Sequence, residues 1–177
     1  QDAHFMRLAI AEACRCRPVP SAYNVGAVLA HATGAAHGMT ILATGYSREL
    51  PGNTHAEECC LLKLAPELVQ QLGSMDAANA PHRQVTLYTT MEPCVRRLSG
   101  RPSCTERLLT AHWIRRIVLG VREPPTFVQG VDGVEQLQTL QGGARQVRVL
   151  PGWEAACLAP NQHVLANDSH VLATSAS

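Results

Sequence analysis

Apolar side chains recur at three- and four-residue spacing through Phe5, Leu8, Ala9, Ala13 and Cys16, which predicts an amphipathic helix over 2–16. Pro18 and Pro20 end it, because a proline ring cannot continue the hydrogen-bond ladder. The apolar run 25–30 and the segment 39–46, separated by a Gly/His/Ala turn, predict a β-hairpin. Pro51-Gly52 punctuates a loop, and Thr54 can cap a helix that turns Ala56, Cys59, Cys60, Leu62 and Leu64 inward. A polar connection over 73–82 leads to a strand at 85–89, after which Pro93 is placed to open a helical turn. The remaining pattern is helix over 105–112, strand over 116–121, helix over 134–140, strand over 146–150 and a last helix over 153–165, with Pro160 inside or ending it. Strands alternating with helices after an opening hairpin imply an α/β fold, a three-layer α/β/α sandwich on a five-stranded mixed sheet. No repeat or low-complexity tract divides the 177 residues, so one domain over 1–177 is expected.

Composition changes the picture mainly by exclusion. With 46% hydrophobic and 16% charged residues, the chain is neither a disordered tail nor a coiled coil. A net charge of +1 offers no bulk attraction to nucleic acid or an anionic membrane, and no run of about eighteen apolar residues exists. Neither partner is expected. Seven cysteines are an odd number without a disulfide framework, which suits a reducing compartment, the cytoplasm first and the nucleus also. The start, Gln1-Asp2-Ala3-His4, has neither Met nor an apolar signal segment and reads as a processing boundary.

The candidate chemistry lies in His55-Ala56-Glu57, Pro93-Cys94 and Cys104. Each motif alone is cheap. Together they place an imidazole and two thiols at the starts of helical segments. Three protein ligands with a fourth position left for water is the arrangement of a catalytic Zn²⁺ site, whereas a structural site is closed by a fourth residue. A helix N-terminus favours the thiolate form of Cys94 that a metal needs. Glu57, two residues after His55, stands close enough to serve as general base without being a ligand. Two plainer readings compete. Thr54-His55-Ala56-Glu57 is also a capping box with Glu57 at its third helical position. Cys59, four residues after His55, could replace one of the thiols, although Cys59 and Cys60 fit a buried helix face, and Cys14, Cys16 and Cys157 read as packing residues.

His-x-Glu followed by Pro-Cys is similar to the signature of zinc deaminases. The chain thus resembles the cytidine-deaminase-like superfamily, which implies its five-stranded mixed sheet. One departure is plain: nine residues separate Cys94 from Cys104 where the superfamily signature has two. Gly100-Arg101-Pro102-Ser103-Cys104 looks like the longer loop of riboflavin-pathway deaminases. Leu50-Pro51-Gly52-Asn53-Thr54-His55-Ala56-Glu57-Glu58-Cys59-Cys60 and Thr89-Thr90-Met91-Glu92-Pro93-Cys94 are similar to the fungal diaminopyrimidine deaminases of that pathway. The likeness spans roughly residues 20–122. It implies a zinc-dependent deamination of 2,5-diamino-6-ribitylamino-4(3H)-pyrimidinone 5′-phosphate, with His55, Cys94 and Cys104 on the metal, Glu57 as base and then acid, and a homodimer. By the same likeness Asn24 should contact the substrate, and Glu49 is a second candidate to hold the ring.

Arg97, Ser99 and Arg101, in the loop between the two cysteines, are expected to meet the phosphate, although a solvated basic face is the plainer reading of the cluster. Rival functions are a nucleobase, nucleoside or tRNA deaminase and a non-catalytic zinc module. The 4% aromatic content argues against a channel lined with stacking rings. The tail 166–177 has no strong element pattern, and His170 on it is a candidate lid ligand for the metal, set against plain packing of the terminus.

Overall fold

The computed structural model describes residues 1–32, 38–74, 84–97, 99–124, 133–138 and 145–165. The tail 166–177, and His170 with it, lies outside the described residues. Helix α1 (Asp2–Ala13) precedes strands β1 (Gly26–Ala32) and β2 (Met39–Tyr46), then helices α2 (Ala56–Leu62) and α3 (Pro66–Ser74). Strand β3 (Val85–Met91), α4 (Cys104–Thr110), β4 (Ile114–Val121), α5 (Gly133–Gln138), β5 (Gln146–Val149) and α6 (Glu154–Leu158) follow, with a short 3₁₀ turn at Ala159–Asn161.

The strands form one sheet in the order β2-β1-β3-β4-β5. β1 is antiparallel to both β2 and β3, whereas β3, β4 and β5 run parallel. Period-two alternation sends Ala27, Leu29, Leu87, Ile117 and Leu119 to one face, under Cys60 of α2, Leu72 of α3, Leu108 of α4 and Leu137 of α5. Val28, Ala30, Tyr88 and Val118 go to the other, under Phe5, Met6 and Ala9 of α1 and Cys157 of α6. Both faces of β3 are covered, and all seven of its residues are buried, Thr86, Thr89 and Thr90 among them. The expected α/β/α sandwich is therefore the observed fold.

Two glycines let helices close on the sheet. A β-carbon at Gly26 would run into the α1 backbone at Ala9, and one at Gly45 into the α2 backbone at Ala56. The second contact sets how near the start of α2 lies to the sheet. Arg145 is buried and spends its guanidinium on the end of α4, with Nη2 donating to Leu108 O at 2.7 Å and Ala111 O at 3.1 Å.

Three local expectations differ. Residues 66–74 form α3, which opens on Pro66 and presents Leu68, Val69 and Leu72 to the core. Pro93 opens no helix, because the carbonyls there are taken from outside: Thr105 Oγ1 donates to Pro93 O at 3.1 Å and Thr105 N to Cys94 O at 3.1 Å. The last helix breaks at Pro160 into the 3₁₀ turn. Among the described residues no helix is long and apolar enough to cross a membrane.

Candidate metal centre and active site

His55 is the cap residue of α2, in extended backbone at φ −91° and ψ 162°. Its position is fixed by the loop before it. Thr54 Oγ1 donates to Leu50 O at 2.9 Å and accepts from Leu50 N at 3.1 Å, and Arg48 N donates to Thr54 O at 2.7 Å. Cys94 lies just beyond the C-terminal end of β3, and Cys104 is the first residue of α4. Cys104 N donates to Cys94 Sγ at 3.4 Å, so the start of α4 is fastened directly to the other thiol. These three anchors bring His55 Nδ1 to 3.4 Å from both Cys94 Sγ and Cys104 Sγ. The three donor atoms lie within 4.8 Å of one another.

The electrostatics suit a cation. The hydrogen bond from Cys104 pulls the Cys94 thiol down to about 4 against its burial, and His55 adds to the effect. Cys104 goes up, through the same bond and burial. For His55, burial disfavours charge, but the hydrogen bond to Cys94 and its negative charge outweigh it and raise the imidazole. A divalent ion would replace the protons that this trio shares, and one imidazole with two thiolates is a donor set that zinc takes readily.

Glu57 is buried at 3% exposure on the first turn of α2. Its Oε2 lies 3.4 Å from Cys104 Sγ and its Oε1 3.2 Å from Thr89 Oγ1. Burial raises its pKa, and the neighbouring His55 only partly offsets this. The capping box is shifted by one residue from the expected one. Glu58, not Glu57, accepts from the cap nitrogen, His55 N, at 3.3 Å, which leaves the Glu57 carboxylate with the metal donors.

A cleft opens over this trio. Tyr23, Ser47, Arg48, Asn53, Glu57, Glu92, Arg96, Arg97, Ser99 and Glu123 are among its walls. Of the residues expected to hold substrate, Arg97 and Ser99 line the cleft. Arg97 is nonetheless committed: Nη1 donates to Glu58 Oε2 at 2.8 Å and Nη2 to Asn53 O at 2.6 Å. Arg101 is outside the walls, bound to Gly52 O and, at 3.1 Å, to Glu58 Oε1. Asn24 is also outside them. It is buried behind Arg48, with Oδ1 accepting from Arg48 Nη2 and Nδ2 donating to Pro160 O at 3.0 Å. Glu49 faces the other way, pairing with Lys63 Nζ at 2.6 Å and accepting from Tyr46 N at 3.3 Å. Both residues were expected on the ring. Each is short enough of free polar atoms that the backbone and a neighbouring cation claim it first.

The sequence reading gave no role to Arg48, Glu92 or Glu123, and weighed Arg96 only as a member of the basic cluster. Glu92 and Glu123 follow the C-terminal ends of β3 and β4, where open α/β sheets collect ligands, and that rule could have found them. Burial pushes Glu123 up to about 7, with Cys94, Glu92 and Glu57 adding negative charge nearby. Arg48 stands apart from the dense basic cluster, so no local density marks it.

Residues 1–121 match the model of the cytidine and deoxycytidylate deaminase zinc-binding region. The chain belongs to this deaminase family. Zinc is accordingly the metal of this family, and His55, Cys94 and Cys104 are the group that could hold it. A diaminohydroxyphosphoribosylamino-pyrimidine deaminase from Schizosaccharomyces pombe is 42% identical over 130 residues, which are 72% of this chain. The chain covers 28% of the length of that relative. The Aspergillus oryzae Rib2 deaminase, in a C-terminal deletion mutant, superposes with a TM-score of 0.75 at 29% identity, over 94% of this chain and 91% of that one. The same Aspergillus deaminase in complex with DARIPP gives 0.74 at 30% identity, over 93% and 90%.

Proposed function

We propose that the chain is a zinc-dependent deaminase of a phosphorylated diaminopyrimidine, 2,5-diamino-6-ribitylamino-4(3H)-pyrimidinone 5′-phosphate, in riboflavin biosynthesis. The observation that carries this reading is the placement of Glu57, a buried carboxylate 3.4 Å from Cys104 and open to the same cleft as His55 and Cys94. The Schizosaccharomyces relative is named for this pyrimidine class, and the Aspergillus neighbour has been seen with DARIPP.

His55 Nδ1, Cys94 Sγ and Cys104 Sγ would hold the metal. Zinc supplies a Lewis acid that makes water acidic near neutral pH. The net reaction adds water at the ring carbon bearing the 2-amino group and releases ammonia. Glu57 takes the proton that water gives up and passes it to the ring nitrogen. It then takes the proton of the hydroxyl newly formed on that carbon and delivers it to the amino group, whose C–N bond breaks as the C=O bond forms and ammonia leaves. One carboxylate serves as base and then as acid. Thr89 can follow these changes, because its hydroxyl lies within reach of both Glu57 Oε1, at 3.2 Å, and Met91 O, at 3.0 Å. When Glu57 is ionised the hydroxyl proton turns to it, and when Glu57 is protonated the hydroxyl accepts and donates to Met91 O instead.

Ammonia release assayed on the ribityl and ribosyl phosphates side by side tests the reading. Turnover of either diaminopyrimidine that is abolished by a chelator and restored by zinc supports it. Turnover of cytidine or a tRNA instead would move the chain to another branch of the family. The same reading includes a homodimer in the cytoplasm, and light scattering checks the oligomer.

A further inference from the structure

The basic groups on the cleft wall are not equivalent. Glu58 is shared by Arg97, Arg101 and Arg107, at 2.8, 3.1 and 2.8 Å, so the charge nearest the inter-cysteine loop is already partly answered. Arg96 lines the cleft but is exposed, where water competes with any ligand. Arg48 differs from all of these. No carboxylate lies within ion-pair distance of it among the described residues.

Arg48 is half-buried and held rigidly by neutral oxygens. Nη1 donates to Tyr23 O at 3.1 Å, and Nη2 donates to Arg17 O at 3.0 Å and to Asn24 Oδ1. A guanidinium has five N–H donors, so two remain. One of them, on Nε, is buried with no acceptor among the described residues. The residue also sits at φ +65°, a left-handed backbone that a non-glycine residue rarely adopts and that tends to mark functional positions. A fixed, uncompensated guanidinium with spare donors, facing a cleft that ends on a metal centre, is suited to a dianionic oxygen cluster.

We propose that Arg48, oriented by Asn24, binds the phosphate of the ligand in this cleft. The identity of that anion as a phosphate monoester rests on the function proposed above. Asn24, expected from the sequence to touch substrate, is then a positioning residue: it aims the guanidinium and stays behind it.

The decisive measurement uses the unmodified protein. The assigned Arg48 Nε–H resonance should shift on titration with ribose 5-phosphate and stay still with ribose. No shift at millimolar ribose 5-phosphate overturns the proposal. This readout does not depend on which pyrimidine is turned over. Failure of the proposed reaction, with neither the ribityl nor the ribosyl phosphate releasing ammonia, is therefore distinguishable from failure of the Arg48 assignment.

Kinetics give the second arm. Arg48→Gln should lower the ratio of kcat/KM for the phosphorylated to the dephosphorylated pyrimidine by roughly tenfold to a hundredfold, the scale of a charged hydrogen bond. Asn24→Asp keeps the arginine but places a carboxylate against it, so the same ratio should fall in the same direction, whereas a purely structural role for the pair predicts no change in the ratio. Equal losses on both substrates, or a selective loss at Arg96→Gln or Arg97→Gln and none at Arg48→Gln, would place the phosphate elsewhere. If Arg48→Gln does not fold, the resonance titration alone decides.

Discussion

Helices α2 and α4 both begin at the metal centre, and both are short, at seven residues each. α4 is closed by an ordinary capping box: Ser103 Oγ accepts from Glu106 N at 3.1 Å, and Glu106 Oε2 accepts from Ser103 N at 2.7 Å. Its carboxylate lies at the surface, and its helix delivers one ligand, Cys104. At α2 the residue in the cap position is itself a candidate metal donor, His55, whose Nδ1 lies 3.4 Å from both thiols. The reach-back carboxylate, Glu58, is 1% exposed and anchored by three arginines. Cap strength that α4 draws from a serine, α2 draws from an ion cluster. The exchange frees the first turn of α2 to carry two functional groups, the imidazole and Glu57, where α4 carries one.

The sharpest way to break this comparison is to remove the shared element. His55→Ala and Cys104→Ser should each lose most of the roughly one zinc per chain and with it activity, whereas Cys59→Ser should retain the metal, as elemental analysis will show. Cys59 Sγ is instead 3.2 Å from Thr54 Oγ1, on the inner face of α2. Next in size is the asymmetry itself. Glu57→Gln should keep zinc and fold while lowering kcat by at least about a hundredfold. Near-normal turnover in that variant would leave α2, like α4, with a ligand and nothing more.

The two caps should separate in stability. Glu58→Gln leaves three guanidinium groups around one buried position, and urea unfolding should show a loss of about 3 kcal/mol, the low end for a buried pair because Arg101 and Arg107 reach solvent. The pH dependence has a definite sign. Burial would raise Glu58, but Arg97 and the His55 N–H more than offset it and depress its pKa in the fold. Its contribution is therefore complete above the ordinary glutamate range near pH 4.5 and lost as pH falls through the lower folded value. Wild-type and Glu58→Gln stabilities should converge in that acid window. The smallest effect belongs to α4, where Ser103→Ala should cost about 1 kcal/mol without changing zinc content.

The same comparison shows what was legible in the sequence. Strand β3 was legible because valine, threonine, leucine and tyrosine at 85–89 all favour a pleated, covered strand, and the trio was legible because His55-Ala56-Glu57, Pro93-Cys94 and Cys104 occur together, each being cheap alone. The frame of the α2 cap was not legible. Thr54 and His55 both precede Glu at a permitted spacing, and only the loop bonds between Thr54 and Leu50 decide which one is the cap. Helix α3 rests on a short stripe, Leu68, Val69 and Leu72 after Pro66, which stands out little beside the polar 73–82 connection. The partners of Asn24 were not legible, since nothing local says that Pro160 and Asn161 will arrive beside it. Arg48 needed the fold, because its significance is the absence of a carboxylate among residues distant in sequence.

That meeting of Asn24 with the far end of the chain has a temporal side. Asn24 N donates to Asn161 Oδ1 at 2.6 Å and Asn161 Nδ2 to Asn24 O at 3.2 Å, across 137 positions of sequence. Contacts of such separation close late in folding, after the loop entropy has been overcome by nearer pairings. The deaminase match ends at residue 121. The matched stretch thus contains both thiols and the histidine, whereas the brace behind Arg48, Pro160 with Asn161, comes from beyond it.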